Sequence, residues 1–299
     1  MTQRFYCATA ARLRDDPMVG TAAPATSWLL VEYAAAWSTH ALDSGGLLGR
    51  VGRTLDAAAR SVGGRTLLVR RPGRRRVQPV QQWCVLDHTG ARERGHWRVP
   101  EDLLAPAELL RHGLEVTEPR GGSPREPVLL VCTHGLHDTC CAVRGRPVAR
   151  ALAARWPDHT WECSHVGGDR FAPNVLVLPD GTCYGRLDER SAVSVVQAHL
   201  EGAVSVDHLR GSSLAALAAQ AAMVEALRRY GPAGPRDVVA TSCVQIGDGT
   251  FEVRLTGAGA LPDLCATVRR HHQASARLTC RATGDSSAFA YAVESLTVV

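Results

Sequence analysis

The segment CTHGLHDTCC, residues 132–141, places three cysteines and two histidines directly behind an apolar run, and Cys163 and His165 follow in WECSHVGGD. Thiolate and imidazole are soft or borderline donors that hold zinc, iron and iron–sulfur clusters, while paired thiols also carry disulfide chemistry. Spacing narrows the choice. Structural zinc usually takes paired ligands such as C-x2-C, and no C-x2-C occurs in the chain. CTH resembles half of a Rieske site, but its C-x2-H partner is missing. A thioredoxin-type thiol catalyst wants C-x-x-C at a helix start, whereas Cys140 and Cys141 are adjacent and a disulfide between them is strained.

The elements that must position these residues form a crossover. VLLVC (128–132) predicts a short buried strand ending in Cys132. RPVARALAARW (146–156) predicts a helix with Pro147 in its first turn, so Cys140 and Cys141 fall just before it. HTWECS predicts the returning strand. In such a βαβ unit both loops leave the same edge of the sheet, so Cys132, Cys140 and Cys141 face Cys163, His165 and Asp169 there. Gly167 and Gly168 let the backbone approach something bulky, and Arg170 and Asn174 are candidate hydrogen-bond donors to sulfide or thiolate. His134 and His137 read as solvated loop residues.

Around this core the pattern predicts a strand at 27–33, a helix near 46–61, strands at 65–71 and 80–87 and a helix near 101–112, which is an α/β unit. Further on it predicts a hairpin over 175–187 and helices at 189–202 and 212–230, the second capped by Ser212 or Ser213. Strands are expected at 237–246, 250–256, 276–282 and 287–298. The resulting division is an N-terminal α/β domain (1–114), a linker (115–127), a thioredoxin-like βαβ-ββα domain (128–204) and a small α+β extension (205–299). The first two units share an element order without a residue-level repeat.

Composition bounds the rest. The chain has 299 residues, 45% of them hydrophobic, and a formal net charge of +5 carried without a single lysine. The arginines are scattered, which argues against nucleic-acid binding. The one dense run, Arg70, Arg71, Arg74, Arg75 and Arg76, reads as a solvated loop or, alternatively, a dock for an acidic redox partner. No stretch predicts a membrane span or a secretory signal, so a cytoplasmic protein is expected. In that compartment clustered cysteines suggest ligands, and Cys7, Cys84, Cys183, Cys243, Cys265 and Cys280 suggest buried small hydrophobes.

CTHGLHDTCCAVRGRPVA, WECSHVGGDRFAPNVLVLPDGTCYGRL and LRGSS…QAA, with GTAAPATSWLLVEYAAAW and RTLLVRRP upstream, resemble the sucrase/ferredoxin-like family, and in particular its actinobacterial members. The resemblance implies a thioredoxin-like [2Fe–2S] ferredoxin domain with two ligands from each loop. It maps the first pair onto Cys132 and Cys141, with Cys140 a neighbour, and the second onto His165 and Asp169, where relatives carry a second histidine. Because iron prefers thiolate to carboxylate, Cys163 is the alternative fourth ligand, with Asp169 then orienting His165.

The expected function is one-electron transfer, with electrons from a separate reductase and an unknown acceptor, a ferric chelate among the candidates. Neither a glycine-rich dinucleotide fingerprint nor a carboxylate pair for sugar hydrolysis is present. A solvent-facing histidine ligand would make the potential fall as pH rises. The competing readings are a zinc-bound or metal-free interaction domain with structural cysteines, and a thiol-disulfide oxidoreductase.

Overall fold

The computed structural model describes residues 4–44, 49, 51–73, 78–114 and 126–299. It is a mixed α/β structure with a large sheet, and it divides into two compact units, one of residues 25–166 and 175–181, the other of residues 1–24, 167–174 and 182–299. Helix α1 (Cys7–Leu13) belongs to the second of these.

The first unit is built on seven strands. Strand β1 (Ser27–Glu32), helix α2 (Gly52–Ser61), strands β2 (Arg65–Arg70), β3 (Gln81–Asp87) and β4 (Arg92–Trp97) and helix α3 (Leu104–His112) come first. Then follow β5 (Val128–Cys132), helix α4 (Thr139–Arg155), β6 (Thr160–Cys163) and β7 (Val175–Leu178). The spatial order is β4-β3-β1-β2-β6-β5-β7. Parallel pairs β1/β2 and β5/β6 each carry an antiparallel strand on the far side, β3 against β1 and β7 against β5. The two sets join where β2 pairs antiparallel with β6, Val69 opposite Cys163 and Arg70 opposite Glu162.

Apolar alternation explains the first set. Leu29, Val31, Leu68 and Val85 point to one face, where they pack with Leu55 of α2, Leu110 of α3 and Leu103 just before α3, around Trp37 and Trp97. In the second set all five residues of β5 are buried, as in a strand covered on both faces. Helix α4 lies on it so closely that a Cβ at Gly145 would come within 2.2 Å of the Cys132 carbonyl oxygen. Only glycine allows that approach.

In the second unit β8 (Thr182–Tyr184) pairs with β9 (Leu209–Ser212), helix α5 (Glu189–Leu200) is capped by Asp188, and helix α6 (Leu217–Tyr230) packs on an antiparallel sheet. That sheet runs β10 (Val238–Gly247), β11 (Thr250–Gly257), β12 (Leu264–His272) and β13 (Phe289–Val298).

Several expectations need correction. Helix α4 starts seven residues before Pro147's predicted first turn, at Thr139, because Asp138 caps it by accepting the Cys140 N–H at 2.8 Å. Cys140 and Cys141 therefore occupy its first turn, and Pro147 lies in its interior. Strand β12 at 264–272 replaces the strand expected at 276–282, where only an isolated Ala276–Ser286 bridge forms. Helix α6 begins after Ala216, since Ser212 ends β9 and does not cap a helix. Strand β4 was not anticipated. Arg74, Arg75, Arg76 and most of the expected linker (115–125) lie outside the described residues.

Candidate metal centre

Three elements of the first unit bring soft donors together. Cys132 ends β5, Cys141 sits in the first turn of α4, and His165 follows the end of β6. One ligand atom from each lies within 4.8 Å of the other two. Cys132 Sγ and His165 Nδ1 are 4.0 Å apart. Both cysteines are buried and His165 is partly exposed.

The Cys132 thiol is held well below its ordinary pKa. A hydrogen bond from the Cys141 thiol is the largest cause; burial opposes it, and His165 and the His134 backbone N–H add to the lowering. The pair is thus arranged to favour negative charge on sulfur, the state in which cysteine binds metal.

Of the two loop histidines, His134 is buried rather than solvated, and His137 is half-buried. His134 is 2% exposed and its Nε2–H donates to the Ser38 carbonyl at 2.6 Å, which leaves Nδ1 buried without a hydrogen-bond partner. Burial pushes the His134 pKa down. His137 stacks on His165 with ring centroids 3.8 Å apart and planes 20° from parallel. Its Nδ1 lies 3.3 Å from the Thr39 carbonyl oxygen. The face of His165 is therefore fixed by a neighbour on its own unit.

The first set of strands supplies the rest of this cradle, which the sequence reading missed. Trp37 meets His134 edge-on at 5.7 Å. Arg65 donates to the carbonyls of His165 and Val166 at 3.0 and 3.1 Å. Arg70, expected in a solvated loop, is buried. Its Nε donates to Glu162 at 2.9 Å, and its guanidinium lies 3.8 Å over Trp37. Thr133 Oγ1 also donates to Glu162, at 3.0 Å. Arg71 instead covers Trp161 at 3.7 Å and reaches the Pro157 and Asp158 carbonyls. The alternation of β2 was the available signal: an arginine two positions beyond a core leucine, Leu68, shares its face.

The remaining candidates are placed as follows. Cys163 is buried on β6 directly in register with Cys132, and it is not one of the three residues whose donors converge. Cys140 is buried one residue from Cys141, and adjacent helical positions point about 100° apart. Gly167, Gly168, Asp169, Arg170 and Asn174 belong to the second unit. There the close approach at Gly168 is to an arginine: its φ is +77°, and a Cβ would meet the Arg210 guanidinium at 2.4 Å. Arg210, fully buried, donates to the Gly167 carbonyl at 2.9 Å and to Asn174 Oδ1 at 3.0 Å. Asn174 Nδ2 donates to the Gly168 carbonyl at 2.8 Å, and Arg170 pairs with Asp16 at 3.4 Å. These polar groups hold their own loop together, and Arg210 also donates to Cys183 Sγ at 3.3 Å. The QAA motif has a similar use: buried Gln220 exchanges hydrogen bonds of 3.0 and 2.9 Å with the backbone of Ala22.

A cleft of about 340 Å³ opens beside His165, lined among others by His40, Asp43, Arg53, Asp56 and His137. The converging donors, two thiols and an imidazole, suit zinc or iron better than a hard oxygen-seeking cation. Among the described residues no helix is long and apolar enough to cross a membrane.

Comparison with curated proteins and with solved structures returns no match. The model of the sucrase/ferredoxin-like family matches residues 18–211, which include every donor described above and both polar loops. With about two thirds of its length inside that match, the chain belongs to the sucrase/ferredoxin-like family.

Proposed function

We propose that the protein is a one-electron carrier that binds a [2Fe–2S] cluster at Cys132, Cys141 and His165. The observation that carries this reading is the convergence of two buried cysteine sulfurs and one histidine nitrogen within 4.8 Å, in a family named for its likeness to ferredoxins. A bound cluster of this kind supplies reversible one-electron chemistry, with its potential set by ligand type and hydrogen bonds to sulfur.

The chain's own residues do the positioning. The His134 backbone N–H donates to Cys132 sulfur, and the N-terminus of α4 favours negative charge at Cys141. His137 holds the His165 ring in plane and Arg65 holds its backbone, with Nδ1 turned to the thiols. The fourth ligand is Cys163 or Asp169; softness favours Cys163. The β5-α4-β6-β7 order supports a thioredoxin-like ferredoxin domain, continued by β8 and α5. Electrons come from a separate reductase and pass, at the cleft beside His165, to a small acceptor such as a ferric chelate, in a cytoplasmic setting.

The test is direct. Protein purified without oxygen, or reconstituted with iron and sulfide, is expected to contain two irons and two acid-labile sulfides per chain and to lose visible absorption on one-electron reduction. Paramagnetic resonance of the reduced Cys163→Ser and Asp169→Ala proteins then identifies the fourth ligand, because a lost ligand shifts the g values. Absence of iron and sulfide under both conditions sinks the proposal.

A second reading, a structural zinc site, rests on the 4.0 Å separation of Cys132 Sγ and His165 Nδ1. Donors about 2.0–2.3 Å from one tetrahedral ion lie about 3.5 Å apart, so this pair is close to sharing a single ion. One tightly held zinc without sulfide would establish it.

A further inference from the structure

A second pair of cysteines meets in the other unit, from residues near opposite ends of the sequence. Cys7 opens α1, and Cys280 lies in the loop between β12 and β13. Their sulfurs stand 3.6 Å apart across 273 residues of sequence. The Cys7 backbone N–H donates to Cys280 Sγ at 3.4 Å. Cys7 is fully buried and Cys280 partly exposed, so Cys280 is the residue of the pair nearer to solvent. The same loop grips the N-terminal segment a second time: Arg277 lies 4.3 Å over the Phe5 ring and donates to the Cys280 carbonyl at 2.7 Å.

We propose that Cys7 and Cys280 form a reversible disulfide that staples the N-terminal segment to the C-terminal loop, a redox modification independent of the cluster reading. The oxidant is a low-molecular-weight disulfide such as oxidised glutathione. The Cys280 thiolate, the exposed partner with a backbone donor on its sulfur, attacks that disulfide and releases one glutathione thiolate. The buried Cys7 thiolate then attacks the Cys280 sulfur of the mixed disulfide and expels the second. Two protein thiols and one glutathione disulfide become one protein disulfide and two glutathione thiols, which take the two protons. The sulfurs must approach to about 2.05 Å, a movement a loop residue outside any strand can supply.

The staple has a structural target. The N-terminal segment packs against the turn Asp169–Phe171 through α1, Asp16 pairs with Arg170, and Arg12 donates to the Arg186 carbonyl at 2.9 Å. Fixing Cys7 therefore fixes the support of the loop that carries Asp169. Cross-linking residues this far apart removes more freedom from the unfolded chain than a short-range disulfide does.

The experiment equilibrates the full-length protein with reduced and oxidised glutathione under argon, quenches with acid, alkylates the thiols and maps peptides by mass spectrometry. The expected result is a Cys7–Cys280 cross-linked peptide as the main disulfide, and a melting temperature about 5 °C or more above that of the reduced protein. Cys280→Ser and Cys280→Ala, checked for folding by circular dichroism, are expected to lose both the cross-link and the shift while keeping the iron content of the parent. Three results overturn the proposal: both cysteines alkylated in excess oxidised glutathione, a stable glutathione adduct on Cys280 in the parent, or a melting shift that persists in Cys280→Ser. Iron content is read on the same samples, so failure of the cluster reading shows separately.

Discussion

Residues 27–87 and residues 128–178 run the same course: a strand, a helix, a parallel strand beside the first and an antiparallel strand on its other side. Their chemistry differs at every corner. Strand β1 ends in Glu32 and nineteen residues, 33–51, intervene before α2, whose N-cap Val51 makes no side-chain cap hydrogen bond. Strand β5 ends in Cys132 and only six residues, 133–138, intervene before α4, which Asp138 caps. A short, capped connection brings Cys141 back over Cys132. A long one cannot hold two donors so close, and in the first set it leans across instead, with Trp37, Ser38 and Thr39 touching the histidines of the second. One half carries the soft donors and the other clamps the histidines beside them.

The sharpest way to break that contrast is to remove the thiols from each half in turn. Cys132→Ser and Cys141→Ser are expected to abolish iron and sulfide retention after anaerobic purification, while Cys84→Ser, at the half-buried cysteine of β3, keeps both at the parent level. Comparable losses in all three would mean that the cysteines matter only through folding.

The seam between the halves comes next in size. Glu162 and Arg70 are paired at 2.9 Å with side chains 2% and 5% exposed, so Glu162→Gln leaves a guanidinium charge uncompensated in the interior. A loss of about 3 kcal/mol in unfolding free energy is expected from urea denaturation. Asp56→Asn removes an ion pair with Arg60 on α2, where the two side chains are 41% and 69% exposed, and is expected to change stability by less than about 0.5 kcal/mol. Equal effects would show that Glu162 is not what joins the halves.

The second half was the more legible one, for physical reasons. A strand buried on both faces writes a continuous apolar run, and soft ligands crowded behind it are conspicuous, so β5, β6 and the convergence of their loops could be read from residue types alone. Of the repeat only the element order could be read. It is conserved in strand pairing, which side chains do not encode once every corner has diverged, and β4 (RERGHW) carries no apolar alternation to announce itself. Buried charge was harder to see: Arg70 stands in a run of arginines, and only the alternation of β2 sets it apart until Glu162 is found opposite it, a partner 92 residues away. The start of α4 was misplaced because Pro147 suits a first helical turn, which left Gly145 outside the expected helix. The glycine is required by the contact with the Cys132 carbonyl, a tertiary fact.

The smallest expected effect concerns the cap that separates the two helices. Asp138 accepts the Cys140 N–H at 2.8 Å and fixes where the first turn of α4 begins, hence where Cys141 points. Asp138→Ala is expected to cost about 1 kcal/mol of stability. If the cap serves the site as well as the helix, iron release to a chelator should also accelerate, and Asp138→Asn, which keeps the acceptor oxygen, should restore the slow rate. Gly64→Ala is a comparison within the first half, since a Cβ there would press on Ser27 of β1, with its hydroxyl at 2.5 Å and its carbonyl oxygen at 2.8 Å, and on the Ala59 carbonyl oxygen of α2 at 3.3 Å, none of which belongs to α4. A chelation rate that follows stability equally in the Asp138 and Gly64 variants would assign the cap to folding; a rate that follows only Asp138 ties the short capped connection to holding Cys141 over Cys132.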